Sequence, residues 1–290
     1  MGRNVIEISL RTIRFAKSDF DSEPRTHAIS RAMLTEKQLA DLLPKVESLA
    51  GEAGKAILAH YQTGTPIITK VDGSPVTAAD HASDAILVPG LEALTPGIPV
   101  VSEEGVEAGR VPDISGGSFW LVDPLDGTKE FIAGTGEFTV LIGLIQAGRP
   151  VLGVMLAPVS GEMYSASAPH AAWSVSSAGR QALQARSLPA NGEITVTTSF
   201  RRANERLESY LATLPVGQRI PRRSAFKFAE VARGAADLYP GFGVSYEWDT
   251  AAGHALVLAA GGTVTLVDGS PLTYGKLGFR NPDILVLGRR

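Results

Sequence analysis

Trp120-Leu-Val-Asp-Pro-Leu-Asp-Gly-Thr-Lys-Glu-Phe131 is the stretch around which the rest of the chain reads most coherently. An apolar run, Phe119 to Val122, delivers Asp123. Pro124 lacks an N–H and has a fixed φ, which predicts that a strand ends there. Asp126 follows, then Gly127 and the hydroxyl of Thr128. Two carboxylates this close on a tight turn repel each other unless a cation sits between them. Hard oxygen ligands without Cys or His suit Mg²⁺ or Mn²⁺. Gly127 lets the backbone approach an anion closely. A helix starting at Thr128 would offer free N–H groups to a phosphate. The alternative is an Asp-Pro/Asp-Gly loop with two solvated acids.

The totals restrict the partners. With 290 residues and 44% hydrophobic content, the chain can bury one large core or two packed lobes. Lys+Arg 27 against Asp+Glu 30 gives a net charge of -3, which argues against a nucleic-acid polymer as partner. A phosphate ligand therefore needs local charge or metal. The absence of cysteine excludes disulfides, thiolate metal sites and Cys nucleophiles. No apolar run is long enough for an integral membrane segment, and Met1 to Ser30 lack the apolar core of a secretion signal. The expectation is a cytoplasmic protein, with peripheral association at the inner membrane left open. Residues 1–33 read as a loosely attached extension, 34–186 as a first α+β lobe and 187–290 as a second α/β lobe.

Apolar residues from Leu39 to Leu58 recur at spacings of three and four, which predicts a helix over 35–61, weakened locally by Pro44 and Gly51. Thr65 to Lys70 reads as a short strand. Thr77 is placed to cap a helix from Ala78 toward Leu94, with Asp80 in its first turn and a possible kink at Pro89. Ile98 to Val101 is a brief strand, left by a turn at Glu103 and Glu104. Phe138 to Ile145 is almost wholly apolar and predicts a strand buried on both faces. Val151 to Leu156, Met163 to Ser167 and Ala171 to Val175 continue a meander, so the first lobe is a mainly antiparallel sheet with helices on it. In the second lobe, strands are expected at 194–198, 236–239, 263–267 and 284–287. Helices are expected at 204–214, 224–233 and 249–260.

Six acids stand at the ends of apolar strands or at helix starts: Asp80, Glu103, Glu104, Asp123, Asp126 and Asp249. Each has a plain alternative. Asp80 could serve its helix dipole, Glu103 and Glu104 a solvated turn, and Asp249 an N-cap. Desolvated carboxylates need partners, and too few Lys or Arg residues lie nearby to pair with them all. Two cations held by such a set can carry out in-line phosphoryl transfer. Thr128 is too weak a base alone, but a carboxylate behind it, with Asp80 as candidate, could orient its hydroxyl toward a water.

At these residues the chain resembles the inositol monophosphatase family of lithium-sensitive, magnesium-dependent phosphatases, over about Leu34 to Leu287. Within it the chain is most similar to the 3'(2'),5'-bisphosphate nucleotidase branch. The resemblance rests on the opening motif and on Ser74-Pro-Val-Thr-Ala-Ala-Asp80, Val101-Ser-Glu-Glu104 and Gly136-Glu-Phe-Thr-Val140. Trp248-Asp-Thr-Ala-Ala-Gly-His254 and Ala259-Ala-Gly-Gly262 continue it. It implies a sugar-phosphatase-like α+β sandwich of alternating αβαβα layers, with the site between two lobes. It implies two or three Mg²⁺, with Mn²⁺ as a substitute, held by Glu103, Asp123, Asp126, Asp249 and the Leu125 carbonyl. Asp80 would adjoin the third ion and partner Thr128, and Thr128 and Glu103 would serve catalysis. The Gly127 and Thr128 N–H groups would hold the phosphate.

The implied activity is hydrolysis of the 3'-phosphate of adenosine 3',5'-bisphosphate, or of its sulfated form, within sulfur metabolism. The rival is the same chemistry on an inositol or sugar phosphate. The partner is then a small phosphorylated nucleotide, and the protein a monomer or homodimer. A Ser-x-x-Lys pattern that contacts the nucleotide in this branch appears as Ser224-Ala-Phe-Lys227, and Asp249 adds a further substrate contact. Lys227 could pair with the second phosphate as a point charge, its plain alternative being an ordinary exposed helix lysine. Two positions depart from the branch: Gly241 stands where an Arg is usual, and Arg202 where a His is usual. Arg201, Arg202, Arg222 and Arg223 could compensate, or be surface charge. His254 reads as a packing or surface hydrogen-bonding residue. Aspartyl-phosphate hydrolases are a second class, but their acids lie two apart, whereas Asp123 and Asp126 lie three apart. A non-catalytic phosphate or metal sensor is a third, and it would not need Thr128.

Overall fold

A computed structural model describes residues 33–64, 67–69, 75–168, 171–190, 192–200 and 204–289. The extension 1–32, Ser74 and the Arg201–Arg202 pair lie outside the described residues.

Helix α1 (Glu36–His60) opens on a capping box at Thr35 and Gln38, and buries Leu39, Leu42, Leu43, Val46, Ala50, Ala53 and Ile57 along one stripe. It runs through Pro44, whose missing hydrogen bond is outweighed by that buried stripe. A two-stranded antiparallel ribbon, β1 (Ile67–Thr69) and β2 (Pro75–Thr77), leads to α2 (Ala78–Leu94). Thr77 caps α2 as expected: its hydroxyl accepts from Ala79 N at 3.2 Å, while Asp80 Oδ2 accepts from Thr77 N at 2.8 Å. Pro89 lies inside this helix without ending it.

The first sheet is formed by β3 (Val100–Ser102), β4 (Ser118–Asp126), β5 (Thr139–Gln146), β6 (Arg149–Ala157), β7 (Glu162–Ser167), β8 (Ala171–Ser176) and β9 (Gly179–Ala182), in that spatial order. Only β3 and β4 run parallel. Between them lies α3 (Glu103–Glu107), where a turn was expected; Ser102 caps it, its hydroxyl accepting from Gly105 N at 3.0 Å. β4 does not stop at Pro124. Its ladder with β5 breaks between Asp123 and Asp126, because proline has no N–H to donate, and resumes where Asp126 faces Thr139. After it comes α4 (Thr128–Ile132).

The second sheet has the order β11-β10-β12-β14-β13, built from β10 (Ile194–Ser199), β11 (Val216–Arg222), β12 (Leu238–Gly241), β13 (Thr263–Leu266) and β14 (Ile284–Leu287). β10 runs parallel to β11 and β12, and the other pairings are antiparallel. Between these strands come α5 (Glu205–Leu211), α6 (Phe226–Ala232) and α7 (Glu247–Ala259).

Strand periodicity builds the layers. On β4, Trp120 and Val122 face α1 and α2, while Phe119 and Leu121 face the opposite way toward α7. β5 alternates likewise, with Val140, Ile142 and Leu144 on one side and Leu141 and Ile145 on the other. α6 and α7 fill the space between the sheets, joined by Val264, Ile284 and Val286 of the second sheet. α5 covers the far face through Leu211, against Val196, Leu238, Leu285 and Leu287. The result is an α+β sandwich of five alternating layers. α7 lies so close to the first sheet that a Cβ at Gly153 would stand 2.6 Å from the Ala252 carbonyl oxygen.

One helix reading is corrected. α7 starts at Glu247, so Asp249 is its third residue rather than its N-cap, and its Oδ2 accepts from Tyr246 N at 2.7 Å. Of the two roles expected for His254, packing is the one found: it is buried, its Nδ1 lying 3.0 Å from the Tyr274 hydroxyl.

Candidate active site

The buried β4 carries Asp123 to the break in its ladder, and each following residue is fixed by a different neighbour. The Asp123 Oδ1 accepts from Leu125 N at 3.0 Å. The Pro124 carbonyl accepts from the Ser83 hydroxyl of α2 at 2.8 Å. Asp126 is held from two sides, its Oδ2 accepting from Thr139 Oγ1 at 3.2 Å and from Ala225 N at 2.6 Å. The Asp126 carbonyl accepts from Ser224 Oγ at 2.7 Å. Gly127 then turns with φ 100°, and a Cβ there would stand 2.3 Å from Ser224 Oγ. Both the left-handed backbone and the close approach require glycine. Thr128 opens α4, its hydroxyl 3.0 Å from Asp80 Oδ1 and 3.4 Å from the Leu125 carbonyl. The other Asp80 oxygen holds the Thr77 N–H and hydroxyl, both at 2.8 Å, so this carboxylate is immobilised on both sides.

Two further acids arrive from elsewhere. Glu103 begins α3 at the end of β3. Asp249 comes from the first turn of α7. Burial, followed by the charges of Glu103, Asp126 and Asp249, pushes the Asp123 carboxyl well above the usual carboxylate range. Burial and then Asp126 do the same to Asp249. Burial also raises Asp126, which Lys227 partly offsets. Desolvated carboxylates, of which Asp123 and Asp249 are raised further by their acidic neighbours, stand with one ammonium among them and form a donor set of hard oxygens. That set fits divalent cations. Glu103 also lies with Glu104 and Glu107, their carboxylate oxygens within 4.8 Å of one another, and Glu104 is 3.9 Å from His81 Nδ1.

These groups open onto one cleft of about 850 Å³. Glu103, Asp123, Leu125, Asp126, Gly127, Thr128, Ser224, Lys227 and Asp249 all line it, and Asp80 stands behind Thr128. Lys227 is not an exposed helix lysine. It is 7% exposed, its ammonium donates to the Ser224 carbonyl and lies 5.5 Å from the Tyr239 ring centroid. At Gly241 a Cβ would stand 2.6 Å from Ile284 Cγ1, so Ile284 occupies the space a side chain there would need. The Arg222 and Arg223 guanidinium groups are both paired. Arg222 Nε bonds Glu230 at 2.5 Å, while Arg223 lies 3.3 Å from Glu130 and 3.2 Å from Glu137.

Sequence reasoning missed Glu130, Phe200, Tyr246 and Trp248, which also line the cleft. Tyr246 and Trp248 stack at 4.9 Å. Trp248 and Glu130 stood inside quoted motifs, and that was their only signal; Phe200 and Tyr246 had none.

The inositol monophosphatase family model matches residues 38–283. The 3'(2'),5'-bisphosphate nucleotidase CysQ of Escherichia coli O157:H7 is 45% identical over 248 residues, covering 84% of this chain and 99% of that protein. The protein of the same name from Haemophilus influenzae is 32% identical over 259 residues, covering 85% of this chain and 93% of its own length. Among solved structures, CysQ from Bacteroides thetaiotaomicron, described as a bacterial member of the inositol monophosphatase family, aligns with a TM-score of 0.74 and 34% identity. That alignment covers 87% of this chain and 98% of the other.

Proposed function

The chain belongs to the inositol monophosphatase family, and from that premise we propose that it is a 3'(2'),5'-bisphosphate nucleotidase. The reaction is hydrolysis of the 3'-phosphate of adenosine 3',5'-bisphosphate to AMP and phosphate, with the sulfated nucleotide as a second substrate. The similarity to the CysQ nucleotidases along 84% of the chain supports the substrate. The observation that carries the chemistry is the Thr128–Asp80 hydrogen bond at the edge of the carboxylate cluster.

Glu103, Asp123, Asp126, Asp249 and the Leu125 carbonyl would hold Mg²⁺, or Mn²⁺ in its place, with Asp80 adjoining. Bound there, such ions supply neutralisation of phosphate charge and a more acidic water. The protein's own groups do the positioning. Asp80 accepts the Thr128 proton, which leaves the Thr128 oxygen lone pairs to accept from the attacking water and aim it. The Gly127 and Thr128 N–H groups face the phosphate, and Lys227 and Ser224 serve the nucleotide. We place the enzyme in the cytoplasm, as a monomer or homodimer. No helix among the described residues is long and apolar enough to cross a membrane.

Inositol or sugar phosphates are the competing substrate class, favoured by Gly241, which offers no arginine to a second phosphate. Phosphate release from a panel of bisphosphate nucleotides, inositol 1-phosphate and sugar phosphates, with and without Mg²⁺, separates the two. The expected result is Mg²⁺-dependent release with adenosine 3',5'-bisphosphate preferred, inhibited by Li⁺. A wide preference for inositol 1-phosphate would sink the nucleotidase reading.

A further inference from the structure

Phe200 follows the last residue of β10, at the carboxyl end of a strand that runs parallel to both neighbours. In open α/β sheets that edge is where ligands bind. Phe200 lines the cleft, yet it is 58% exposed. A large aromatic ring open at the edge of a cleft offers apolar area whose burial by a ligand is favourable.

One face of the ring is already occupied. The Arg223 guanidinium carbon lies 4.3 Å from the ring centroid. That arginine is tied to Glu130 at 3.3 Å and to Glu137 at 3.2 Å. Glu130 is two residues beyond Thr128, and Ser224, next to Arg223, bonds the Asp126 carbonyl. Arg223 therefore ties the ring to the phosphate end of the cleft, and more than half of Phe200 stays exposed. Val244, 70% exposed, adds apolar surface to the same cleft. Both carboxylates claim Arg223, so it has little left for a phosphate, and a flat apolar ring gives a sugar hydroxyl nothing to bond. A planar aromatic ligand fits this surface.

We infer that Phe200 is the stacking face for the nucleobase of the substrate and that Arg223 is the positioning residue that fixes its ring. The inference rests on the nucleotidase reading and names the residue that separates a nucleotide from a base-free phosphate. Base–aromatic stacking corresponds to a loss of about 5- to 150-fold on removal of the ring.

The test compares wild type, Phe200→Ala and Phe200→Trp on adenosine 3',5'-bisphosphate and on inositol 1-phosphate. Phe200→Ala is expected to lower the kcat/KM preference for the nucleotide by about tenfold or more, through KM rather than kcat. Phe200→Trp is expected to restore it. Arg223→Ala should raise the nucleotide KM in the same direction, and Arg223→Lys should recover part of it. A Phe200→Ala enzyme with an unchanged nucleotide preference, or one losing kcat equally on both substrates, overturns the stacking role while leaving the nucleotidase reading intact. Wild type preferring inositol 1-phosphate overturns both, and is visible before any variant is made.

Discussion

Thr128 directs its proton at a carboxylate that already holds two other donors, so little freedom remains in how its oxygen points. Thr128→Val keeps the shape and removes the hydroxyl. It is expected to lower kcat by roughly 10²–10⁴ while the melting temperature stays near wild type; a kcat within a few-fold of wild type would remove Thr128 from the mechanism. Asp123 carries the opposite kind of constraint. Its carboxyl is raised by burial and by three neighbouring acids. A carboxyl whose folded pKa lies above its unfolded value stabilises the fold only when protonated, so this contribution grows as pH falls and is lost toward neutrality. Asp123→Asn removes the charge. The variant should melt no lower than wild type in chelator at pH 7, lose turnover, and lose most of the Mg²⁺-induced rise in melting temperature. Retained turnover would defeat the assigned site.

At the scale of elements, what could be read in advance depended on how local the signal was. α2 is announced by Thr77 and Asp80, three residues apart, and the helix found there spans Ala78–Leu94 as expected. The apolar run of β5 was equally plain. β11 was not, because it is an edge strand of exposed and half-buried residues containing Pro221, with neither alternation nor an apolar run. α7 was started two residues late, because its capping box begins at Tyr246, a residue type that gives no cap signal. The acids of the site were visible because each stands at the end of an apolar run or at a helix start, inside one of four short motifs. The Arg223–Glu130 pair was not, since the partners lie 93 residues apart. α7 also sets how closely the layers approach. Gly153→Ala would press a methyl group against the Ala252 carbonyl. It should cost about 1–3 kcal/mol in urea unfolding. Since α7 carries Asp249, the apparent Mg²⁺ activation constant should rise as well; an unaltered unfolding midpoint would argue that the helix moves freely.

At the scale of the whole molecule, acid sensitivity has an identifiable source in His254. Burial, with Arg149 and Lys276 nearby, pushes this imidazole from its ordinary 6.5 down to about 3. The unfolded chain therefore takes up its proton first. Stability should fall as pH drops below 6.5 and stop falling on this account near 3. His254→Gln removes that proton from the balance, and the slope of stability against pH in this window should flatten by up to about 1.4 kcal/mol per pH unit. Parallel slopes in urea titrations would contradict the assignment. α7 has a different consequence, which belongs to synthesis rather than to the finished protein. Phe119, Leu121, Leu141 and Met155 form one face of the first sheet, and residues 247–259 supply part of their cover. A nascent chain completes the strands of that sheet long before the covering helix leaves the ribosome. During that interval an apolar face lies open to other chains and to chaperones. Products of premature termination before residue 247 would keep it open permanently, and should be cleared by proteolysis or aggregate.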